Sequence, residues 1–288
     1  MKILPGVPLP FADSAGLPGR AAAIARVAIC IAVLFAATAH AATRLLVTVT
    51  DPRTGKSVAD LKAGDFTVLD DKTPRAVETA ELTSEPVDIM LLLDTSLVGE
   101  AVQPLAANLI HQLDPKEQMA VISFASSADL VQDFTSSREL LADAVKKMKY
   151  GNTPQVLDAL YASIDGGFGS SPFRRVVVLL TTGLEGGSRV TDKEVIRLAR
   201  KNAVSIFPVY LAGSGRWLFD ELARQTGGAG FRVGDLRHMK NPQPGPQIFA
   251  ALRRHYLLTV AGNYEPGQKL KVRVNGQDKL FASALPLE

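Results

Sequence analysis

The sequence predicts an α/β fold: a doubly wound, mostly parallel, Rossmann-like sheet that is inserted in, or flanked by, a small β-sandwich built from N- and C-terminal strands. Between residues 86 and 255, apolar strand-like runs alternate with amphipathic helical segments, which is typical of a parallel sheet covered by helices. On either side, short alternating strands are separated by turns, which is typical of antiparallel sheets. The composition, 47% hydrophobic and 21% charged, is ordinary for a globular chain with a sizeable core.

The first 41 residues predict a cleaved signal peptide. Three cationic side chains precede an apolar run from Val27 to Ala39, and Ala39-His40-Ala41 supplies the small residues of a cleavage site. A retained membrane anchor is the alternative, but the run is shorter than the about 20 apolar residues that span a bilayer. We therefore expect cleavage after Ala41, no stable membrane span afterwards, and a periplasmic or extracellular location.

Cysteine usage and charge limit the partners of the exported chain. Cys30 is the only cysteine and lies inside the predicted signal peptide, so the exported chain forms no disulfide and depends on core burial for stability. The signal segment carries a net charge of +2, so its removal lowers the formal charge of the chain from +3 to about +1. We expect no nucleic-acid partner, because no general attraction to phosphate remains.

Apolar runs rich in β-branched residues predict the strands of the parallel sheet. A further run over residues 129–134 follows the second of them closely enough to form a hairpin. The four runs are Ile89 to Leu93, Met119 to Phe124, Val176 to Leu180 and Val204 to Leu211.

Apolar residues at helical spacing predict helices between these strands, over about 102–113, 137–148 and 156–164. Two Ser/Thr-x-x-Glu pairs, Ser136 with Glu139 and Thr191 with Glu194, have the spacing of a capping box. They predict helix starts near residues 137 and 192. Later helices are expected over residues 216–225 and 247–254.

The flanking segments each contain too few strands for a two-layer core. Residues 45–50, 66–70 and 75–82 read as strands before the parallel sheet, and residues 256–261 and 269–274 read as strands after it, with a hairpin turn at Asn275-Gly276. We expect the two flanks to pair in one sandwich. The predicted boundaries are 42–85 for the N-terminal β segment, 86–255 for the α/β domain and 256–288 for the C-terminal β segment.

The first strand of the predicted sheet, VDIMLLLDTS from Val87 to Ser96, ends on oxygen-bearing side chains. Ligands of open α/β sheets bind at the carboxyl ends of the strands. This strand, its Asp-x-Ser sequence and the alternating order of residues 86–255 resemble the von Willebrand factor type A domain, and the flanks resemble bacterial exported proteins related to it. The resemblance implies a protein-interaction or adhesion module that holds a divalent cation through Asp-x-Ser-x-Ser, a Thr from a later loop and an Asp after the fourth strand.

Carried over residue by residue, the motif is incomplete. Asp94 and Ser96 match its first two positions, whereas Val98 stands at the third and offers no oxygen. Thr182 stands where the family has its second carboxylate, so one fixed negative charge is lost. Thr153 is the candidate for the loop threonine. The resemblance thus implies a degenerate metal-ion-dependent adhesion site, whose candidate ligands for Mg²⁺ or Mn²⁺ are Asp94, Ser96 and Thr153.

Spacing and neighbouring charges complicate this assignment. The helix carboxylate Asp158 lies one residue further from Thr153 than in the family, which places Pro154 at the expected position. Glu100 and Glu185 lie close in sequence and are candidate substitute ligands. We expect cation binding to be weak or absent and no other cofactor.

Each candidate also has a structural interpretation. Asp94 has the residue type and position of a loop-capping aspartate, and Thr182 those of a turn or helix-cap hydroxyl. Glu100 and Glu185 would then be solvated loop charges.

Motifs for catalysis are missing from the sequence. It contains no Gly-x-Ser-x-Gly elbow and no glycine-rich phosphate loop after the first strand. His111, His238 and His255 have no neighbouring histidine or cysteine at metal-ligand spacing. We therefore expect no enzymatic activity; the alternative is a cation-dependent hydrolase with Asp94 as metal ligand and Glu185 as base.

The predicted function is that of a non-enzymatic exported module that binds a protein through the loops at the carboxyl edge of the sheet. These loops, near residues 94–100, 150–155 and 182–189, are called the rim. Apolar rim residues would make the contact in place of the cation. A structural envelope scaffold without a rim ligand is the alternative. The candidate contact residues are Leu97, Val98, Tyr150, Pro154 and Leu184.

Overall fold

A computed structural model describes residues 42–169, 172–211, 215–237, 244–264 and 270–287, all of which belong to one unit, Ala41–Glu288. The predicted signal peptide, residues 1–41, lies outside the described residues. No helix in the described ranges is long and apolar enough to cross a membrane.

Strands and helices alternate through the middle of the chain, and strands alone occupy its two ends. In chain order the strands are β1 (Ala42–Thr50), β2 (Phe66–Asp70), β3 (Thr73–Arg75), β4 (Val77–Ser84), β5 (Val87–Asp94), β6 (Gln118–Phe124), β7 (Ala128–Thr135), β8 (Arg174–Thr181), β9 (Val204–Tyr210), β10 (Phe231–Arg232), β11 (Arg254–Ala261), β12 (Leu270–Val274) and β13 (Phe281–Leu287). The helices are α1 (Gln103–Ile110), α2 (Arg138–Lys146), α3 (Val156–Gly167), α4 (Asp192–Lys201), α5 (Arg216–Gln225), α6 (Val233–Arg237) and α7 (Pro244–Arg253), with short 3-10 helices at Ala63–Asp65 and Gly99–Val102.

The central sheet has the strand order β10-β9-β8-β5-β6-β7 and is parallel except for β7. Every residue of β5 is buried, because helices cover both faces of the sheet. One face packs against α1, α2 and α7 through residues such as Leu109, Leu141 and Phe249. The other packs against α3, α4 and α5 through Leu160, Val195 and Phe219. The predicted doubly wound, mostly parallel sheet is therefore confirmed.

The N- and C-terminal strands combine in two antiparallel sheets. One has the order β13-β1-β11-β4 and the other the order β12-β2-β3. Their inner faces share a core that includes Leu45, Phe66, Tyr256 and Val272. Each sheet mixes strands from both ends of the chain, which is the pairing that the sequence predicts.

Two local predictions were wrong. Ser137, not Ser136, caps α2, because its extended backbone lets its Oγ accept from the Leu140 N–H at 3.3 Å. Asn275-Gly276 does not close a two-residue hairpin, because β12 pairs with β2 and β13 pairs with β1. At the other predicted capping box, Thr191 and Glu194 do bond one another's backbone at the start of α4.

Strand β13 was missed in the sequence. Its residues, FASALPL, include small side chains and Pro286, which disfavour a strand assignment. Pro286 is tolerated because β13 is an edge strand with β1 on one side only, so no second ladder needs the missing N–H.

Arg174, at the start of β8, joins the central sheet to the sandwich. Its buried guanidinium donates to the carbonyls of Leu252 and Gly227, both at 2.8 Å, and lies 5.2 Å from the ring centre of Phe207. A weaker bond at 3.3 Å reaches Thr48 of β1. Because burial removes water from the charge, the pKa of Arg174 falls to about 9.

Candidate functional site

Asp94 is the last residue of β5 and lies at the carboxyl edge of the central sheet. The parallel register sets Leu93 beside Leu180 of β8, so Asp94 is next to the end of β8. Its carboxylate is completely buried. A carboxylate in such a place needs donors or a cation to offset the loss of water.

Protein donors surround the Asp94 carboxylate. Its Oδ2 accepts from Thr181 Oγ1 at 3.0 Å, from the Thr182 N–H at 2.9 Å and from Thr182 Oγ1 at 2.8 Å. Its Oδ1 accepts from the Ser96 N–H at 2.9 Å. Thr182, which the sequence motif predicts at the position of the family's second carboxylate, donates directly to Asp94.

Ser96 presents the opposite situation. Its side chain is buried, and its Oγ has no hydrogen-bond partner among the described residues. An oxygen of this kind is a reasonable ligand for a cation or a bound water. Of the candidate ligand oxygens in the described ranges, it is the buried one that lacks a protein partner.

The loop after Ser96 passes close to Asp94. A Cβ on Gly99 would lie 2.1 Å from the carbonyl oxygen of Asp94, so only glycine fits there. Val98, which the sequence motif predicts at the third ligand position, is exposed to solvent. The close approach of Gly99 holds this loop against the carboxylate while Leu97 and Val98 are displayed outward.

The two glutamates have different environments. Glu185 accepts from the backbone N–H groups of Val156, Gly187 and Ser188 at 2.9, 3.1 and 2.7 Å. It therefore caps the start of α3 and closes its own loop. Glu100 is exposed in a 3-10 helix, where its charge adds to burial in raising the pKa of Tyr150.

Thr153 is exposed on the middle rim loop, and the following Pro154 is buried. Asp158, in the first turn of α3, accepts from the backbone N–H groups of Arg189 and Val190 at 2.9 and 2.8 Å. It closes the third rim loop, as Glu185 does from the other side. None of these contacts directs the carboxylate of Asp158 to Asp94.

Backbone hydrogen bonds connect the rim loops to one another. The Gly151 N–H donates to the carbonyl of Thr95 at 2.8 Å, and the Leu97 N–H donates to the carbonyl of Asn152 at 3.3 Å. The Gly186 N–H donates to the carbonyl of Pro154 at 2.7 Å. The rim is therefore a continuous, pre-formed surface.

Apolar side chains are exposed along this surface. Leu97 is 79% exposed, Val98 55% and Leu184 47%. The other two predicted contact residues are set back: Pro154 is buried, and Tyr150 is half-buried with its hydroxyl enclosed and without a partner in the described part of the chain.

Trp217 is a further exposed apolar side chain near the rim and was missed by the sequence reasoning. It lies in the first turn of α5, after β9, and is 70% exposed. Gly215 approaches the carbonyl oxygen of Gly183, which places the start of α5 beside the third rim loop. It is the only tryptophan of the sequence, and it lies in a predicted helix that follows a predicted strand. This position could have identified it as a candidate site residue.

The acidic residues do not gather into a metal cluster. Across the described ranges there is no group of three or more histidine, cysteine, aspartate or glutamate side chains that could hold an ion. The set around Asp94 comprises a single carboxylate and neutral oxygens.

The sequence profile of the von Willebrand factor type A domain matches residues 88–241. This range covers more than half of the chain and contains all of β5 but its first residue, the rim and the helices α1 to α6. The chain therefore belongs to the von Willebrand factor type A domain family, as the motif around Asp94 predicts. A search of curated proteins found no match.

Solved structures similar to this chain include two from Bacteroides species and one from a mussel. BatB from Bacteroides thetaiotaomicron is 16% identical, with a TM-score of 0.46 over 58% of this chain and 97% of that one. An aerotolerance-related membrane protein from Bacteroides fragilis is 14% identical, with a TM-score of 0.46 over 58% and 98%. Proximal thread matrix protein 1 from the mussel byssus, with a zinc-occupied metal-ion-dependent adhesion site, is 17% identical, with a TM-score of 0.51 over 62% and 49%.

Proposed function

We propose that this protein is an exported, non-enzymatic interaction module whose rim binds a protein partner with weak or absent dependence on a divalent cation. One combination carries the proposal: at the same edge of the sheet, a buried carboxylate is satisfied by protein donors and apolar side chains are exposed. Family membership supports the general class, since these domains serve in protein interaction or adhesion.

The hydrogen bonds of Asp94 support the absence of a strong cation requirement. A cation bound to its Oδ2 would compete with three donors from Thr181 and Thr182. Mg²⁺ and Mn²⁺ prefer shells of oxygen ligands with carboxylates among them, and this site offers one. The residues therefore fit a tightly held ion poorly, although Ser96 Oγ retains a ligand-like environment. The zinc-occupied motif of the mussel protein makes Zn²⁺ a further ion to test.

The exposed rim residues support an apolar contact. Leu97, Val98 and Leu184 offer branched aliphatic surface on loops that backbone bonds hold in place. Burying such side chains contributes about 1.5–3 kcal/mol each when they become fully enclosed. Ordering costs are small for a pre-formed surface, so a large part of this free energy is available for binding.

Export is part of the same proposal. Cleavage of residues 1–41 after Ala41 and a periplasmic or extracellular location rest on the order of cations, apolar run and small residues in that segment. An exported chain without cysteine must then rely on the packed cores of the sheet and sandwich.

The rim is tested by Leu97→Asp and Leu184→Asp, with Leu140→Asp as the matched control. Leu140 is also an exposed leucine. It lies in the first turn of α2, and α2 follows the antiparallel strand β7, so Leu140 lies at the opposite edge of the sheet. A charge at the centre of an apolar contact should reduce binding about tenfold or more. We expect crosslinked pull-downs from the native envelope to lose the partner with either rim variant and to keep it with the control.

Circular dichroism and thermal unfolding check that all three variants fold. If both rim variants keep the same partner as the unmodified protein, the rim is not the binding surface. That outcome would favour a structural envelope scaffold without a rim ligand.

A further inference from the structure

A cleft lies at the far end of the carboxyl edge of the central sheet, away from Asp94. It is enclosed by the ends of β9 and β10, one face of α5 and the segment that leads into β13, and its volume is about 210 Å³. Because each water occupies about 30 Å³ in the liquid, the volume of this space corresponds to about seven waters. The space can therefore take roughly one amino-acid side chain. We call this cavity the α5 cleft.

Two ion pairs line the walls of the α5 cleft. Arg216 and Asp220, one turn apart on α5, approach to 3.4 Å. Arg232, at the end of β10, pairs closely with Asp235. The two arginines and the two aspartates therefore neutralise one another.

Two further cations line the α5 cleft, and a third carboxylate, Asp278, leaves the lining as a whole with a net charge of +1. Among the described residues, no carboxylate lies within ion-pair distance of Arg224 or Lys279. Arg224 lies on the same face of α5 as Arg216 and Asp220, about two turns beyond Arg216. Lys279 lies just before β13, on the opposite wall.

Arg224 is fixed in position by its neighbours. Its guanidinium stacks over the ring of Phe281, 4.4 Å from the centre, and one nitrogen donates to the carbonyl of Ala282 at 3.2 Å. No other hydrogen bond of Arg224 occurs within the part of the chain described. A guanidinium has five donors in a fork that matches a carboxylate, and stacking leaves the edge of that fork free for a ligand.

Tyr210 adds a neutral donor. It ends β9, and its side chain lines the α5 cleft. Burial, with a smaller contribution from Asp220, raises the pKa of Tyr210 to about 12. The phenol therefore stays protonated at neutral pH, so it can donate to an anion.

We propose that the α5 cleft binds a single carboxylate group, held by Arg224 and Lys279 with Tyr210 as a further donor. Asp220, Asp235 and Asp278 oppose the entry of a second negative charge, which favours a carboxylate over a phosphate dianion. The carboxylate belongs to a glutamate-sized group, presented either on a peptide or as a free organic acid. The site uses none of the rim residues, so it stands independently of the proposed rim function.

Calorimetric titration of the purified protein tests the proposal with N-acetylglutamate α-methylamide, which carries one carboxylate, as the probe and N-acetylglutamine α-methylamide as its neutral counterpart. We expect weak, roughly millimolar binding of the acid, and no heat from the amide. Inorganic phosphate should bind less well than the acid. A blocked Gly-Glu-Gly peptide and free butyrate, each with one carboxylate, distinguish the two sources: tighter binding of the peptide indicates a protein ligand, and tighter binding of butyrate a small acid.

Variants locate the binding in the cleft. Arg224→Gln and Lys279→Gln should each weaken binding of the acid about tenfold, because each removes a charged donor. Lys271→Gln, on the outward face of β12, is the matched control and should leave binding unchanged. Lys279 and Lys271 are both exposed, so folding of these two variants is not at issue. Failure of the acid to bind at millimolar concentration, equal binding of the amide or of phosphate, or unchanged binding in both cleft variants would overturn the proposal.

Discussion

At the scale of single residues, the Asp94–Thr182 pair shows how a buried carboxylate can be satisfied by its own chain. Thr182 supplies a hydroxyl and a backbone N–H that both donate to Asp94. A pair of carboxylates repel one another and need a cation between them. A carboxylate and a hydroxyl attract one another, so this pair is stable without one.

Asp94→Ala tests that role. The substitution leaves the donors of Ser96, Thr181 and Thr182 buried without their acceptor, so we expect the free energy of unfolding to fall by about 3 kcal/mol. Urea unfolding measures the loss, in EDTA and in millimolar Mg²⁺, Mn²⁺ or Zn²⁺.

The same titrations decide the cation question. A bound ion stabilises the folded state by mass action. We expect the unmodified protein to unfold at nearly the same urea concentration with and without each ion. A gain in stability that Asp94→Ala abolishes would show that the site holds a cation after all.

His255 gives a residue-scale prediction of pH dependence. Burial, with a smaller effect of Arg174, lowers the pKa of its imidazole from 6.5 to about 4. Between these two values the unfolded chain binds the proton and the folded chain does not, so acid destabilises the fold. The contribution is complete above pH 6.5 and is lost as the pH falls towards 4.

His255→Gln removes this proton linkage. We expect the unmodified protein to lose up to about 3 kcal/mol more stability than the variant between neutral pH and pH 4. Denaturant unfolding at a series of pH values measures the free energy of unfolding of both proteins. Carboxylates that are present in both titrate alike, so their effect cancels in the difference. Parallel curves for the two proteins would contradict the assignment.

At the scale of elements, α3 is a helix whose start is capped by a side chain distant in sequence, unlike α2 and α4, which are capped locally. The N-terminus of α3 is capped by Glu185, which comes from the loop after β8. A glutamate at a helix N-terminus also interacts favourably with the helix dipole. The third rim loop and α3 are thereby fixed to each other.

Glu185→Ala should therefore lower the free energy of unfolding by about 1–2 kcal/mol, because three backbone donors lose their acceptor. Glu100→Ala, on the same rim but exposed, is the control and should change it by less than about 0.5 kcal/mol. Chemical denaturation compares the two. Equal effects would mean that the cap contributes little.

These contacts also mark the limit of sequence reasoning. The strand ending at Asp94 and the box at Thr191 could be predicted, because each depends on local composition and spacing. The bond from Thr182 to Asp94 depends on the register of β5 and β8, and the cap by Glu185 on a loop conformation. Neither leaves a periodic pattern in the chain.

At the scale of the whole molecule, the fold class followed from alternation along the chain, but the strand order of the sandwich did not. Pairing of β1 with both β11 and β13 joins residues more than 200 positions apart. The α5 cleft could not be predicted for the same reason. Its lining comes from β9, α5, β10 and the segment before β13, which only tertiary packing brings together.

The docking of the central sheet on the sandwich relies on backbone contact as well as on Arg174. Thr48 of β1 donates to the carbonyl of Gly227 at 2.7 Å, and Ser283 of β13 donates to that of Gly228. Gly227 has φ +71°, and a Cβ there would come within 2.8 Å of Leu285. The close approach thus excludes larger residues.

The buried Arg174 has a mechanical consequence for a molecule held at its rim and at its sandwich. The chain enters and leaves the central α/β region beside the paired residues Ser84 and Arg254 of β4 and β11. Tension between rim and sandwich would unzip these antiparallel strands one hydrogen bond at a time, which offers little resistance. Arg174 bonds both sides of this junction at once, through Leu252 and Thr48. Arg174 would bear part of the tension, so that the two sides of the junction separate only when several hydrogen bonds break together.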